Sequence, residues 1–363
     1  MEADSFIFEV TAPGHVCPLG EGALRNGNNV LCCAVDLQVL LTFEEHQKEL
    51  FELHLGNYKH TVSFSYEELN ERLLSQMPLL HNNSSASFSW ETPEFIDLYK
   101  VMPLVIAFVN SITQVKLQDV YHEFALYDFF LIAAGFMSSV NVEFQPFSVV
   151  IKSDIPIGID AGNIEAHSVC IAAAFVHYLR FRVWKTGRLN ENISKSKLKI
   201  SKITPFTLDT FDTNEKDIIF KWSCLSEKLL PAHTYGIGSS VSTYGELLKF
   251  TKGVDEFRPS LGPLTYTMIV KILIVDSREK PDRNRLKHEI DGFAKTFPDV
   301  IESMSKLQET LSDITVGLLT DPAASQKKDK KFAELGIGVS WNISLLRNQT
   351  GISAKCIFFT RAL

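Results

Sequence analysis

The 363-residue chain has no C-x-x-C pair, no long uninterrupted apolar run and no excess of positive charge. Each absence narrows the function. Six cysteines (Cys17, Cys32, Cys33, Cys170, Cys224 and Cys356) without paired spacing argue against a zinc ribbon or a disulfide scaffold and read as buried reduced thiols. The longest apolar stretches, around Val101 to Ile112 and Phe124 to Met137, are short or interrupted by Asp128, so no span of about 20 residues is expected to cross a bilayer. Thirty-six basic residues against 43 acidic ones give a net charge of -7, which offers no general field to nucleic acid or anionic lipid. Neither nucleic acid nor membrane is expected as a partner. The opening residues carry Glu2 and Asp4 and lack the basic and apolar regions of a secretory leader, so a cytoplasmic location is expected.

What is present is ordinary globular composition, 45% hydrophobic and 22% charged. The length exceeds the roughly 250 to 300 residues at which single cores stop growing, and a Lys-, Ser- and Asn-rich stretch over 186–213 offers a connection. Two domains are therefore expected, 1–200 and 201–363. Alternating residues predict strands at Phe6 to Val10, Val30 to Phe43 and Val142 to Ser153, with a turn at Ala12-Pro13-Gly14. Helical spacing marks Glu94 to Ile112, Ala125 to Ser139 and Ala166 to Trp184. In the second half it marks Glu215 to Leu230, Arg283 to Thr296 and Asp299 to Leu319. A turn is expected at Gly236 to Ser240, and strands at Thr267 to Val275 and Ala354 to Phe359. Strands mixed with segregated helices predict an α+β architecture.

The stretch SDIPIGIDAGNIEAHSVCIAAAF, Ser153 to Phe175, has the form of an anion-binding turn leading into a helix, where free backbone N–H groups meet a phosphate. It also carries Asp160 and Glu165, two negative charges at that spot. A carboxylate in the first helical turn gains about 0.3 to 1 kcal/mol from the helix dipole and competes with phosphate for the same amides. A plainer reading is that Asp160, Asn163 and Glu165 cap the helix.

Four stretches, in order along nearly the whole chain, resemble the GHMP small-molecule kinases, the mevalonate kinases in particular. Ala12-Pro13-Gly14-His15-Val16 with Gly20-Glu21-Gly22-Ala23 is similar to the family's A-P-G-K-V…G-E-H-A. Pro156 to Ala166 stands where the family has P-x-G-x-G-L-G-S-S-A-A. Trp222 to Phe250, with Ser226-Glu227 and Val241-Ser242-Thr243-Tyr244-Gly245, resembles W…G-E…S-G-V-D-N-A-V-S-T-W-G-G. Lys271 to Ile274, then Lys280-Pro281 and Arg285, resembles K-I-L-L…V-P-R-N-T-R. The resemblance implies a two-domain GHMP kinase-like fold, a β-rich N-terminal α/β domain plus a ferredoxin-like C-terminal domain. It also implies ATP-dependent phosphorylation of mevalonate in isoprenoid biosynthesis with Mg-ATP as cofactor, and as partners mevalonate or a related metabolite and a second copy; an active kinase is a partner only if the chain acts by binding.

Position by position, the residues that would touch nucleotide or metal are replaced. The resemblance puts His15 at the family's Lys and Gly238 at its catalytic Asp. In the nucleotide loop Gly158 and Gly162 remain, but Asp160 takes the central glycine, Asn163 and Ile164 take the paired serines, and Glu165 follows. Glu227 stands at the metal-binding Glu, with Asn163 as a second oxygen donor. Glu21, Asn284 and Arg285 fall on the substrate side. The C-terminal G-A-G-G-G-G run has no counterpart near Ala354 to Phe359. Losing a positioned base costs about 10²- to 10⁴-fold, so the expected function is a weak or inactive relative that acts by binding. The alternative is a divergent active kinase in which Asp160 or Glu21 serves as base and Asn163 and Glu227 hold the metal.

Overall fold

The computed structural model describes residues 6–19, 30–77, 90–140, 144–157, 161–186, 211–229, 236–245, 247–252, 257–259, 271–274, 292–320 and 357–360. The chain forms two compact units, one of Met1–Gly14 with Val35–Tyr244 and the other of His15–Ala34 with Gly245–Leu363. A junction at 200/201 lies outside the described residues, as does most of the helix predicted over Arg283 to Thr296.

The first unit is built on strands β1 (Ile7–Leu19) and β2 (Val30–Glu45), of which it takes the parts up to Gly14 and from Val35. It adds β3 (Phe51–Leu55), β4 (His60–Phe64) and β5 (Phe147–Ser153). β2 pairs antiparallel with β5 from Val39↔Ser153 to Glu45↔Phe147, β3 lies parallel to β5, and β4 pairs antiparallel with β3. The alternation of buried and open residues in β4, B-e-B-e-B, is that of a strand with one face on a core. Its helices are α1 (Tyr66–Arg72), α2 (Leu98–Ile112), α3 (Val120–Ser139), α4 (Asn163–Thr186), α5 (Thr213–Glu227) and α6 (Ile237–Tyr244).

Two predicted turns are instead regular structure. β1 runs on through Pro13-Gly14 to Leu19, because a side chain at residue 14 would sit 2.5 Å from the Ala161 carbonyl oxygen and 2.8 Å from Ile155 Cδ1. Glycine is there for close approach, not for a bend. Gly236–Ser240 opens α6, with Gly236 in the left-handed region at φ 83° just before the first helical residue.

α3 is long and apolar enough to cross a membrane by length and composition, counter to the reading that Asp128 breaks it. Its apolar window is 78% buried within the protein. Phe130 packs edge-on against Phe64 and Phe108, and Phe136 stacks on Trp222. A helix apolar on all sides and enclosed on all sides is a core helix. α4 is the second such helix, with Phe175 and Tyr178 against Phe43 and Phe147 of the sheet.

At the end of β2 in this core Glu45 is buried and receives the Tyr178 hydroxyl at 2.6 Å, Arg182 at 3.2 Å and Lys185 at 3.0 Å. Burial alone would raise its pKa. The bonds from Tyr178 and Lys185 and the nearby Arg182 charge outweigh burial and bring it below the ordinary carboxylate range.

In the second unit, Val30–Cys33 of β2 pair antiparallel with β6 (Leu247–Lys252), and β6 pairs with β7 (Phe257–Pro259). A separate antiparallel pair joins β8 (Lys271–Ile274) to β9 (Ile357–Thr360), close to the strands read from the sequence. Helix α7 (Pro298–Thr320) matches the expected 299–319, and its Asp313 is paired with Lys249 of β6.

Candidate functional site

The loop and the acid at the centre of the resemblance both fall in the first unit. Gly162 adopts φ 79° and its carbonyl accepts the Ala166 N–H at 3.0 Å, closing the first turn of α4. That turn starts at Asn163, whose Oδ1 accepts the Ser153 hydroxyl at 2.6 Å. Ser153 is held in turn by Asn57, which brackets its backbone N–H at 2.8 Å and its carbonyl at 2.9 Å. The carbonyl oxygen expected to face a metal is thus used to pin the end of β5 to the start of α4. Gly158 and Asp160 lie outside the described residues.

Glu227 closes α5 and is 3% exposed. One carboxylate oxygen accepts the Gly236 N–H at 3.0 Å, and the other accepts the Ser239 N–H at 3.1 Å together with the Ser239 hydroxyl. These are the donors that open the first turn of α6, so Glu227 is the cap of that helix. Burial raises its pKa and the neighbouring Glu165 charge adds to this, while the three bonds pull the other way and only reduce the rise. Ser239 also lies 2.7 Å from the Ser223 hydroxyl, whose own helix packs against Glu165. Gly238 sits inside this first turn, buried and without a side chain that could take a proton.

Sequence reasoning missed one cluster here. Asp128, fully buried in α3, accepts the Ser168 hydroxyl at 2.8 Å and pairs with His167 Nδ1 at 3.1 Å. Its second oxygen and His167 Nε2 have no hydrogen-bond partner among the described residues. The imidazole lines a small cleft of about 40 Å³ with Asn57, Tyr58, Tyr121, Ser153 and Asn163. The one sequence signal was an Asp inside an apolar helix; its partner lies 39 residues away in the chain.

His15 belongs to the second unit, where it is buried beside Cys17 and Cys32. Among the described cysteines only Cys32 and Cys170 are buried, whereas Cys17, Cys33 and Cys224 are half-buried. Burial was therefore an overestimate for three of the thiols, and Cys356 lies outside the described residues. Cys33 has its thiol pushed up to about 12 by its surroundings, with Cys17 adding to the effect. Glu21, Asn284 and Arg285 also lie outside the described residues.

No family model matches the chain. Curated proteins do. The mevalonate kinase of Gibberella zeae is 22% identical over 344 residues, covering 93% of this chain and 62% of that protein. The Arabidopsis thaliana mevalonate kinase is 22% identical over 89% of this chain and 77% of its own length. The chain thus spans less than two thirds of the first of these relatives. Among solved structures, the Methanococcus jannaschii mevalonate kinase superposes with a TM-score of 0.54 at 16% identity, over 98% of this chain and 82% of that one. The L. major mevalonate kinase in complex with R-mevalonate gives a TM-score of 0.51 at 11% identity, over 96% and 77%. The chain carries the two-domain fold of the GHMP kinases, and the relatives it matches in sequence are mevalonate kinases.

Proposed function

We propose that this mevalonate-kinase-like chain does not carry out phosphoryl transfer at a kinase's rate and acts by binding mevalonate or a related hydroxy acid. The observation that carries this reading is the use made of Glu227, whose two oxygens are committed to the amides that open α6. A magnesium ion needs near-octahedral oxygen donors at about 2.0 to 2.1 Å, and the other candidate, Asn163 Oδ1, is engaged by Ser153. This donor set does not fit Mg-ATP. Gly238 at the expected base position adds a second deficit, since phosphoryl transfer depends on a residue that orients the attacking hydroxyl. The Asn163 and Glu227 contacts also weigh against the divergent active kinase; Asp160 and Glu21, its other supports, lie outside the described residues.

Calorimetry with Mg-ATP and with mevalonate, alongside mevalonate-dependent ADP release, tests the reading. The expected outcome is heat on adding mevalonate, none on adding Mg-ATP, and no ADP. Release at about 1 to 100 per second, the ordinary range for kinases, would overturn it.

A further inference from the structure

The second unit holds a donor set that phosphoryl transfer does not use. His15 and Cys17 stand two residues apart in β1, so strand alternation places both on one face, while Val16 between them turns to the other. β1 pairs with β2, and this brings Cys32 to the same place although it is 15 residues further along the chain. One nitrogen of His15 and the sulfurs of Cys17 and Cys32 all lie within 4.8 Å of one another, the two sulfurs 2.7 Å apart. The Cys32 thiol also reaches the Val16 carbonyl at 3.3 Å. His15 and Cys32 are buried and Cys17 is half-buried. The cluster is therefore shielded on most sides and reachable past Cys17.

Two thiols and an imidazole are the wrong donors for Mg²⁺ or Ca²⁺, which take oxygen. They are the right donors for zinc, a borderline-soft ion that binds sulfur at about 2.3 Å and imidazole nitrogen at about 2.0 Å. At a tetrahedral centre those bonds separate neighbouring donors by about 3.5 to 3.8 Å. The three donors lie within 4.8 Å of one another, at most about 1 Å beyond that spacing, and the sulfurs, at 2.7 Å, need to part by about 1 Å. We propose that His15, Cys17 and Cys32 form a Cys₂His zinc site, with the fourth position open on the Cys17 side. Binding releases the two thiol protons to solvent, because the ligands are thiolates. Two paired strands supply all three ligands, and a rigid sheet holds such a set better than loops do.

The test uses the full chain, reduced and stripped of metal, titrated with Co²⁺ as the spectroscopic substitute for Zn²⁺. The expected result is saturation at one equivalent with a thiolate-to-cobalt charge-transfer band, bleached when Zn²⁺ is added. Cys17→Ser, at the half-exposed position and tolerant of the change, is expected to weaken Co²⁺ binding about ten-fold or more and to dim the band. His15→Gln should shift the ligand-field spectrum, with circular dichroism reporting whether the variant is folded. Cys224→Ser, in the first unit, should leave titration and band unchanged. The proposal is overturned if the folded, reduced protein gives no charge-transfer band, or if Cys17→Ser leaves band and affinity intact. Alkylation and intact-mass analysis that find Cys17 and Cys32 bonded to each other in the protein as isolated, with no metal, would overturn it as well.

Discussion

Glu227 keeps the identity that the resemblance assigns to it and has a different occupation. Its place after Trp222 was legible from the chain, since the W…E spacing is local. Its use was not, because the amides it accepts belong to a helix whose first turn depends on Gly236 at φ 83°, and the sequence there reads as a turn. Removing the carboxylate leaves two buried N–H groups without an acceptor, at about 1 to 3 kcal/mol each, less whatever water recovers. Glu227→Ala is therefore expected to lower stability by about 2 to 4 kcal/mol, read as a drop in the urea midpoint. Glu227→Gln, which retains one carbonyl oxygen, should lose less. A midpoint equal to wild type in Glu227→Ala would show that the side chain is not the cap and would return it to the list of metal ligands. Asp128 makes the complementary point: an acid in an apolar helix was visible in the sequence, whereas the His167 and Ser168 that satisfy it arrive only through packing of α3 on α4.

Among the elements, the long ones were legible and the special ones were not. α4 and α7 appear close to where their apolar periodicity places them, because over five or six turns the pattern outweighs ambiguity at the ends. β3 and β4 escaped notice, five residues each, since a short alternating run joined through Gly56–Tyr58 carries little signal by itself. α3 gave the most instructive conflict, for its composition suits a bilayer and its surroundings are Phe64, Phe108, Trp90 and Trp222. Gly135, toward the C-terminal end of α3, explains how the Trp222 ring comes so close. A Cβ at that position would lie 2.1 Å from Trp222 Cη2. In an exposed helix, Gly→Ala gains about 1 kcal/mol of propensity. Here the fully buried indole, held by its bond to the Trp90 carbonyl at 2.8 Å, has no room to retreat. Gly135→Ala is expected to destabilise by about 1 to 3 kcal/mol net, as overpacked cores do, with loss of the Trp222 near-ultraviolet circular dichroism signal. A melting temperature at or above wild type would show that propensity wins and that the α3–α5 interface is looser than this.

At the scale of the whole molecule, buried and half-buried histidines set a pH window for stability that the carboxylates of lowered pKa do not share. His122 Nδ1 accepts the Gln118 N–H at 3.2 Å, so its proton is on Nε2, facing His60 Nδ1 at 2.8 Å, with the Tyr58 ring stacked 4.1 Å away. Burial lowers the pKa of both, and the His60 charge lowers that of His122 further, against a smaller upward pull from Asp119. His177, between Phe6 and Phe8, is lowered to about 4, first by burial and then by Arg180. For each, the folded state holds the neutral form while the unfolded chain takes up a proton below about 6.5. The unfolded state therefore binds more protons as pH falls through that value, and stability drops from there until the folded pKa is reached. His177 alone accounts for at most about 3.5 kcal/mol, the gap from about 6.5 to about 4 at roughly 1.4 kcal/mol per unit. Glu45 and Glu52, both lowered, act in the other window: their contribution is complete above about 4.5 and is lost only as pH falls below it. Between about 6.5 and 4.5 the histidines act without these two, opposed by Glu227, whose raised pKa makes the folded state take up its proton before the unfolded chain does. Urea midpoints taken at steps from pH 7.5 to 5 should fall steadily, and His177→Gln should flatten that slope while leaving the decline below 4.5 in place. A midpoint constant down to pH 5 in Glu227→Gln as well, where the opposing carboxylate is gone, would mean that these imidazoles take up protons in the folded protein as readily as in water, which their packing against Tyr58, Phe6 and Phe8 does not permit.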